Sequence, residues 1–233
     1  MSHAPRPLTA DDLDWVVETA AARREELAPH APRFWRPASD ATARHRDFLD
    51  RLIADPATLT LRTDHGYVMA LGDDSRRVVD DMAVAAAAWP DEGAALLRAV
   101  QAVTATVRFV APVAEPERRT TALSLGWRPV ETWWHRDLPL VQVRGEGERV
   151  ELSTVGARGR LVPAPPIYAP GGPVLLVADV ETAVALAAIE AEAAERGATV
   201  AVVPQRPDDL MRELLLVEAG YQRTTDFLEG TGT

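Results

Sequence analysis

The residues that could bind or transform a ligand include two pairs of neighbours. Phe34 and Trp35 lie in a proline-bounded segment, where adjacent aromatic side chains could form the wall of a ligand site. A core anchor at Trp35 explains the same pair equally well. Asp80 and Asp81 fall on a predicted strand, residues 77–85, whose alternation sends the two carboxylates to opposite faces. Asp81 is the catalytic candidate of the two, and the alternative is that both are solvated or capping carboxylates.

Several kinds of chemistry are excluded by residues that the sequence lacks. It contains no cysteine, which rules out disulfides, thiolate metal sites and cysteine nucleophiles. It contains no lysine, so neither a lysine Schiff base nor a P-loop lysine can form. The five histidines do not have the spacing of metal ligands, and there is no G-x-S-x-G elbow. We therefore expect no metal cofactor.

Length and charge set the broad class of the protein. The 233 residues, 47% of them hydrophobic, allow one large domain or two small ones. A formal charge of −10 argues against a nucleic-acid partner and suits a neutral or cationic small molecule. The start has no secretory signal pattern, and the apolar runs are shorter than the ~20 residues of a spanning helix. We expect a cytoplasmic protein without membrane partners, and a homodimer is left open.

Hydrophobic periodicity and turn residues predict alternating helices and strands in the first half of the chain. Two helices precede a three-strand meander, which is followed by helix, strand, helix and strand. The predicted helices cover residues 10–27, 40–54, 92–103 and 117–124, and the strands cover 58–62, 67–71, 77–85, 106–111 and 128–138. This order predicts an α/β (α+β) fold with helices flanking a mixed central sheet.

A similar order of elements recurs in the second half. The predicted strands cover residues 174–178, 199–203 and 221–228, and the helices cover 181–196 and 207–218. Gly126-Trp127 and Gly220-Tyr221 follow the shorter helix of each half. We therefore predict a tandem repeat. Residues 1–140 form the first domain, and residues 141–233 form a half domain without the two opening helices.

Three stretches resemble the GNAT acetyltransferases. Residues 6–12 (RPLTADD) are similar to the opening strand and capped helix of that family. Residues 81–84 (DMAV) resemble its central strand, E-L-x-V, and residues 122–130 (ALSLGWRPV) resemble its closing Y-x-K-x-G-F-x-x-V. The likeness rests on their order and spacing and covers residues 5–138. It implies a GNAT-like acyltransferase fold with a partial second copy.

The resemblance also implies roles for individual residues. Asp81 would accept a proton from the acceptor amine, often through water in that family. Met82 and Val84 would offer backbone hydrogen bonds to the pantetheine arm of acetyl-CoA, the co-substrate. Phe34 and Trp35 would lie over the acceptor, which the family implies to be a small-molecule amine.

The phosphate-binding loop departs from the family pattern. GNAT proteins seat the pyrophosphate on backbone N–H groups of a [QR]-x-x-G-x-[GA] loop at the start of a helix. Gly93, Ala94 and Ala95 match the end of this loop, but Pro90 replaces the Gln or Arg and an acidic pair precedes Gly93. The pair also suits an ordinary first helical turn, where acidic residues favour the helix dipole.

The usual general acid is also missing. The tyrosine four residues before the closing glycine is replaced by Ala122 in the first copy and Leu216 in the second. Two functions are therefore kept open. One is an acetyl-CoA-dependent N-acetyltransferase acting on a small-molecule amine. The other is a catalytically degenerate GNAT-like protein that binds an acyl-CoA or another ligand, or serves as a structural or interaction subunit.

Overall fold

The chain forms two compact units, neither of which is one continuous stretch of sequence. A computed structural model describes residues 4–30, 33–141 and 150–232. Unit 1 consists of Met1–Leu27, Thr42–Val130 and Thr225–Thr233. Unit 2 consists of Ala28–Ala41 and Glu131–Thr224. This division differs from a single boundary at residue 140, because each unit includes a strand from the other half of the sequence.

Unit 1 carries helices on a mixed sheet. Helices α1 to α4 are Leu13–Leu27, Ala41–Ala54, Ala94–Gln101 and Pro116–Ser124. Strands β1 to β5 are Arg6–Pro7, Leu59–Arg62, Gly66–Gly72, Arg77–Val84 and Thr106–Pro112. Asp12 accepts the backbone N–H of Thr9 at 2.9 Å before α1, which is one of the two hydrogen bonds of a capping box.

The remaining elements begin with β6 and end with β11. Strands β6 to β11 are Arg128–Asp137, Glu151–Thr154, Ala157–Val162, Val174–Val180, Val200–Gln205 and Gln222–Thr231. Helices α5 and α6 are Ala183–Glu195 and Leu210–Glu218. The predicted helices and strands of both halves are confirmed to within a few residues at their ends.

Each unit contains an antiparallel meander followed by a parallel strand. In unit 1, β2, β3 and β4 form the meander, β4 pairs in parallel with β5, and β11 pairs antiparallel with β5 through residues 225–231. In unit 2, β7, β8 and β9 form the meander, β9 pairs in parallel with β10, and β6 pairs antiparallel with β10. The last strand of each sequence half thus completes the unit of the other half.

The core of unit 1 lies on both faces of its sheet. Along β3, Val68 packs with Leu96 of α3, whereas its neighbour Met69 packs with Val16 of α1 and Leu49 of α2. Successive side chains of a strand point to opposite faces, so β3 serves two cores. This explains why β3 reads as a continuous apolar run.

The two units share further details that support a duplication. A register shift leaves Asp80 of β4 without an opposing residue on β3. A second register shift leaves Ala178 of β9 without an opposing residue on β8. The helix after the parallel strand is followed in each unit by a glycine of positive φ, Gly126 at 80° and Gly220 at 77°. Such angles favour glycine. The tandem repeat stays a prediction, for which these correspondences are the physical argument.

Replacing Leu228 of β11 by alanine tests the strand exchange. Leu228 is fully buried in the core of unit 1, so we expect Leu228→Ala to lower the free energy of unfolding by about 2–5 kcal/mol. Val217→Ala, at an exposed position of α6, should change it by no more than about 0.5 kcal/mol. Hydrogen exchange should accelerate in β5 of Leu228→Ala and remain slow in β9. Faster hydrogen exchange in β9, with β5 unchanged, would contradict the placement of β11 in unit 1.

Candidate functional site

The site of unit 1 is built where β4 and β5 part. Asp80 forms a bulge in β4 because it has no opposing residue on β3. On the other side of β4, parallel pairing with β5 ends at Val79 and Phe109. Beyond this point the strands no longer satisfy each other's backbone groups. Their carbonyls therefore need donors from elsewhere.

Arg118 of α4 supplies these donors. Its Nε–H donates to the Val110 carbonyl at 2.7 Å and its Nη1 donates to the Met82 carbonyl at 2.9 Å, so one guanidinium bridges both strands. The guanidinium carbon lies 4.7 Å from the ring centre of Phe109 and 5.5 Å from that of Trp89. The residue is 3% exposed, and burial lowers its pKa to about 10, which leaves it charged at neutral pH. A fixed cation thus fills the space between the strands.

The charge of Arg118 is balanced through Glu115. Oε2 of Glu115 lies 3.5 Å from Nη1 of Arg118. Glu115 also accepts two hydrogen bonds from Arg23 of α1, at 2.8 and 2.7 Å, in the bidentate geometry that guanidinium and carboxylate favour. The Arg23–Glu115–Arg118 network therefore connects α1 to the start of α4.

Asp81 lies in a second, closed polar network. Its Oδ2 is 2.5 Å from Nε2 of His45, its Oδ1 accepts the Tyr67 hydroxyl at 3.1 Å, and Nδ1 of His45 contacts Arg24. Burial disfavours the charge on Asp81, but the hydrogen bonds of His45 and Tyr67 and the positive charge of Arg23 outweigh it, so the pKa is lowered. Asp80 is exposed. The catalytic role of Asp81 stays a prediction, and its contacts give it a structural role.

An open cleft lies beside these networks in unit 1. Its volume is about 290 Å³, close to the lower limit for small-molecule sites. It is lined by apolar residues of α1 and of the end of β4, and by charged groups from α1, from the β2–β3 turn and from Glu115. The lining residues are Trp15, Thr19, Ala22, Arg23, Glu26, Asp64, His65, Ala83, Val84, Ala85 and Glu115. Asp81 is not among them.

His65 and Glu92 form a dyad at the edge of this cleft. Oε1 of Glu92 lies 2.6 Å from Nδ1 of His65, and Oε2 accepts the His65 backbone N–H at 2.8 Å. Burial alone would raise the pKa of Glu92, but hydrogen bonds from Thr63 and His65 lower it to about 2. An ionised carboxylate only accepts, so Nδ1 of His65 carries a proton, and Nε2 is an acceptor when the imidazole is neutral and a donor when it is protonated. The hydrogen bond and charge of Glu92 in turn raise the pKa of His65.

The sequence did not indicate this dyad. The two residues come from a turn and from a helical segment, and no spacing rule connects them. The sequence showed only that Glu92 lies where a phosphate-binding loop would not carry an acidic residue.

Known structures share this architecture, although sequence comparisons find nothing. No family model matches the chain, and no curated protein is similar to it. A crystal structure assigned as an acetyltransferase of Thermoplasma acidophilum has 12% identity and a TM-score of 0.56, covering 98% of this chain and 99% of that one. A GCN5-related N-acetyltransferase of Sphaerobacter thermophilus has 12% identity and a TM-score of 0.55, covering 98% and 96%. The chain has the GNAT fold.

The roles predicted for Met82 and Val84 along the pantetheine arm of acetyl-CoA stay a prediction, which their contacts disfavour. The Met82 carbonyl already accepts from Arg118, and the Met82 side chain is fully buried in the core. Val84 is half-buried at the end of β4, pairs with Gly66 and lines the cleft. Arg118 therefore occupies the space between β4 and β5 that the arm would need.

The residues predicted for the pyrophosphate do not suit it either. The chain turns helical at Ala86, through a 3₁₀ turn and a π-helical turn, before α3 begins. The N–H of Ala94 is consequently bonded to the carbonyl of Trp89. Gly93 packs on Trp89, where a Cβ would lie 2.4 Å from the ring, and Ala95 is half-buried inside α3. Their assignment to cofactor binding stays a prediction that this geometry disfavours.

The positions of the missing general acid are apolar and closed. Ala122 and Leu216 are both fully buried, Ala122 in the core of unit 1 and Leu216 in the core of unit 2. Neither side chain has a proton to give, and neither position is open to a ligand.

Phe34 and Trp35, predicted as a substrate wall, belong to unit 2, whereas Asp81 belongs to unit 1. Phe34 is buried against valines of β9 and β10. The ring centre of His135 lies 5.0 Å from that of Phe34 and 6.1 Å from that of Trp35. The structure therefore gives both residues a place in the core of unit 2 and does not bring them together with Asp81 in one unit. Their substrate-binding role stays a prediction.

Over residues 4–30, 33–141 and 150–232, His, Asp and Glu form no group of three or more that could hold a metal ion. Over the same ranges, no helix has the length and apolar character needed to cross a membrane.

A substitution pair tests the role of Asp81. Asp81→Asn keeps the volume but removes the charge that His45 and Tyr67 hold, so we expect the free energy of unfolding to fall by roughly 3 kcal/mol. Asp80→Asn, at the exposed neighbour, should stay within about 0.5 kcal/mol of wild type. Urea unfolding measures both. Equal effects of the two substitutions would contradict the network described for Asp81.

The His65–Glu92 dyad should make stability depend on pH in acid. The pKa of Glu92 is about 2 in the folded protein, below its ordinary value of 4.5. Its contribution is therefore complete above pH 4.5 and is lost as the pH falls toward 2. Wild type should exceed Glu92→Gln in urea midpoint at neutral pH, and the gap should close across this window. A gap that stays constant down to pH 2 would show that Glu92 is not stabilised as an anion.

Proposed function

We propose that this chain is a catalytically degenerate GNAT-fold protein that binds a small molecule in the cleft of unit 1 without using acetyl-CoA. The observation that carries the proposal is Arg118, whose guanidinium bridges the Val110 and Met82 carbonyls between β4 and β5. The space that separates these strands is thereby filled by the protein itself.

Displacing Arg118 would be costly. Hydrogen bonds to a charged group contribute about 1.5–3 kcal/mol each, and Arg118 makes two of them to backbone carbonyls besides its contact with Glu115. A ligand entering between the strands would have to replace these donors and leave a guanidinium and Glu115 in a new environment. The nearby N–H of Ala94 is already bonded and offers nothing in return.

The cleft itself suits a small ligand that donates hydrogen bonds. Glu26 adds a carboxylate to the cleft, and Nε2 of His65 is an acceptor at pH values above the imidazole pKa, which Glu92 raises. The guanidinium of Arg23 is already bonded to Glu115 at two nitrogens. Trp15 provides an aromatic surface. A small-molecule amine fits this balance, with its N–H groups toward His65 and Glu26 and its carbon part toward Trp15.

Acetyl transfer to such an amine is the second candidate function. The GNAT fold favours it, and so does His65, a titratable residue that lines the cleft whereas Asp81 does not. Binding of acetyl-CoA separates the two candidates, because the second candidate requires it and the first excludes it.

Calorimetric titration with acetyl-CoA is the decisive measurement. We expect no binding by wild type up to about 1 mM. Arg118→Ala should bring weak binding into the measurable range because it opens the space between β4 and β5. Arg98→Ala, at an exposed position of α3, removes the same charge without opening that space and should behave as wild type. Melting curves establish that both variants are folded. Micromolar binding by wild type would overturn the proposal in favour of acetyl transfer.

A further inference from the structure

Unit 2 contains a buried histidine with one nitrogen unsatisfied. His135 of β6 is fully buried, and its Nε2 has no hydrogen-bond partner among the described residues. Its Nδ1 contacts the Thr224 hydroxyl, which itself donates to the Trp133 carbonyl. The hydroxyl therefore accepts from Nδ1–H, and Nε2 is left as a bare acceptor. Buried polar atoms almost always have partners, so an unpartnered one indicates a missing group.

Three aromatic rings lie near the imidazole of His135. The ring centre of His135 lies 5.0 Å from that of Phe34, 6.1 Å from Trp35 and 6.2 Å from Trp133, all at tilted angles. Phe34 is packed against the sheet, whereas Trp35 and Trp133 are half-buried and border the solvent. The indole N–H of Trp133 donates to Glu131 at 2.5 Å, which places a carboxylate at this edge. The surroundings thus combine aromatic rings, an acceptor nitrogen and a nearby negative charge.

We propose that His135, Phe34, Trp35 and Trp133 form a binding site in unit 2 for a small primary ammonium ion. One N–H of the ammonium group donates to Nε2 of His135, and its charge lies against the faces of Trp35 and Trp133, which attract cations. An anion is disfavoured because it would meet the lone pair of Nε2, the negative ring faces and Glu131. This site is independent of the cleft in unit 1.

The protonation state of His135 suits this role. Burial lowers its pKa to about 3, so the imidazole is neutral and Nε2 is an acceptor across the physiological range. No other titratable group shifts this pKa, since burial is its single cause. Binding should therefore not change between about pH 6 and about pH 8.

Nitrogen NMR of histidine-labelled protein tests the site directly. Titration with n-butylammonium should shift the His135 Nε2 resonance in a saturable way, because a bare acceptor gains a hydrogen bond. Tetramethylammonium, which has no N–H, and n-butyl acetate, which has no charge and no donor, should leave it unchanged at equal ionic strength. His135→Phe assigns the resonance. Trp35→Leu, a change in the loop, should weaken binding about tenfold or more without altering the fold.

The wild-type titration alone is enough to overturn the proposal. If the His135 Nε2 resonance does not move with n-butylammonium, the nitrogen is unsatisfied or holds a water that no ammonium displaces, and the site does not exist. A shift that is equally large with tetramethylammonium would show a general salt effect and also contradicts it. A shift confined to His65 would locate binding in the cleft of unit 1 and leave no role for His135.

Discussion

Unit 1 depends on how the gap between β4 and β5 is closed. The bulge at Asp80 turns β4 away from its parallel neighbour, which leaves buried carbonyls on both strands without their usual partners. A single long side chain from α4 satisfies one carbonyl on each strand, and its charge is balanced by Glu115 at the start of the same helix. The bulge at Asp80, the position of α4 and the carboxylate of Glu115 therefore depend on one another. Changing one of them leaves the others with buried polar groups unsatisfied.

Unit 2 has an arginine at the same position of its corresponding helix, but that arginine contacts a different group. Arg212 is the third residue of α6, as Arg118 is of α4, and Asp209 precedes α6 where Glu115 precedes α4. In unit 2 the arginine reaches Asp179 at 3.2 Å, the residue just after the bulge. An arginine at one helical position thus serves two kinds of partner. The match is closer than the shared order of elements and is a further argument for duplication.

Local patterns predicted the elements well, and the site poorly, for physical reasons. Helices and strands follow periodicity and turn residues, which act over a few positions. The exchange of β6 and β11 depends on which strand pairs with β5 or β10, and no local pattern decides this. Gly93 was placed on a phosphate loop because of its neighbours in sequence. The chain in fact turns helical at Ala86, before α3 begins. A glycine is needed at position 93 because the ring of Trp89 packs on its Cα. Arg118 could not be distinguished from a surface arginine without the gap that it fills.

Glu92, the residue before Gly93, affects both the phosphate-binding loop and the orientation of His65. A carboxylate in the first turns of a helical segment is favoured by the helix dipole, and it repels phosphate for the same electrostatic reason. Here Glu92 is buried and its two oxygens accept from the backbone N–H and from Nδ1 of His65, which fixes the imidazole at the edge of the cleft. Because Glu92 is an anion next to Gly93 in sequence, it would repel a phosphate seated on the Gly93 backbone. The same buried carboxylate thus orients His65 and disfavours a pyrophosphate at this position.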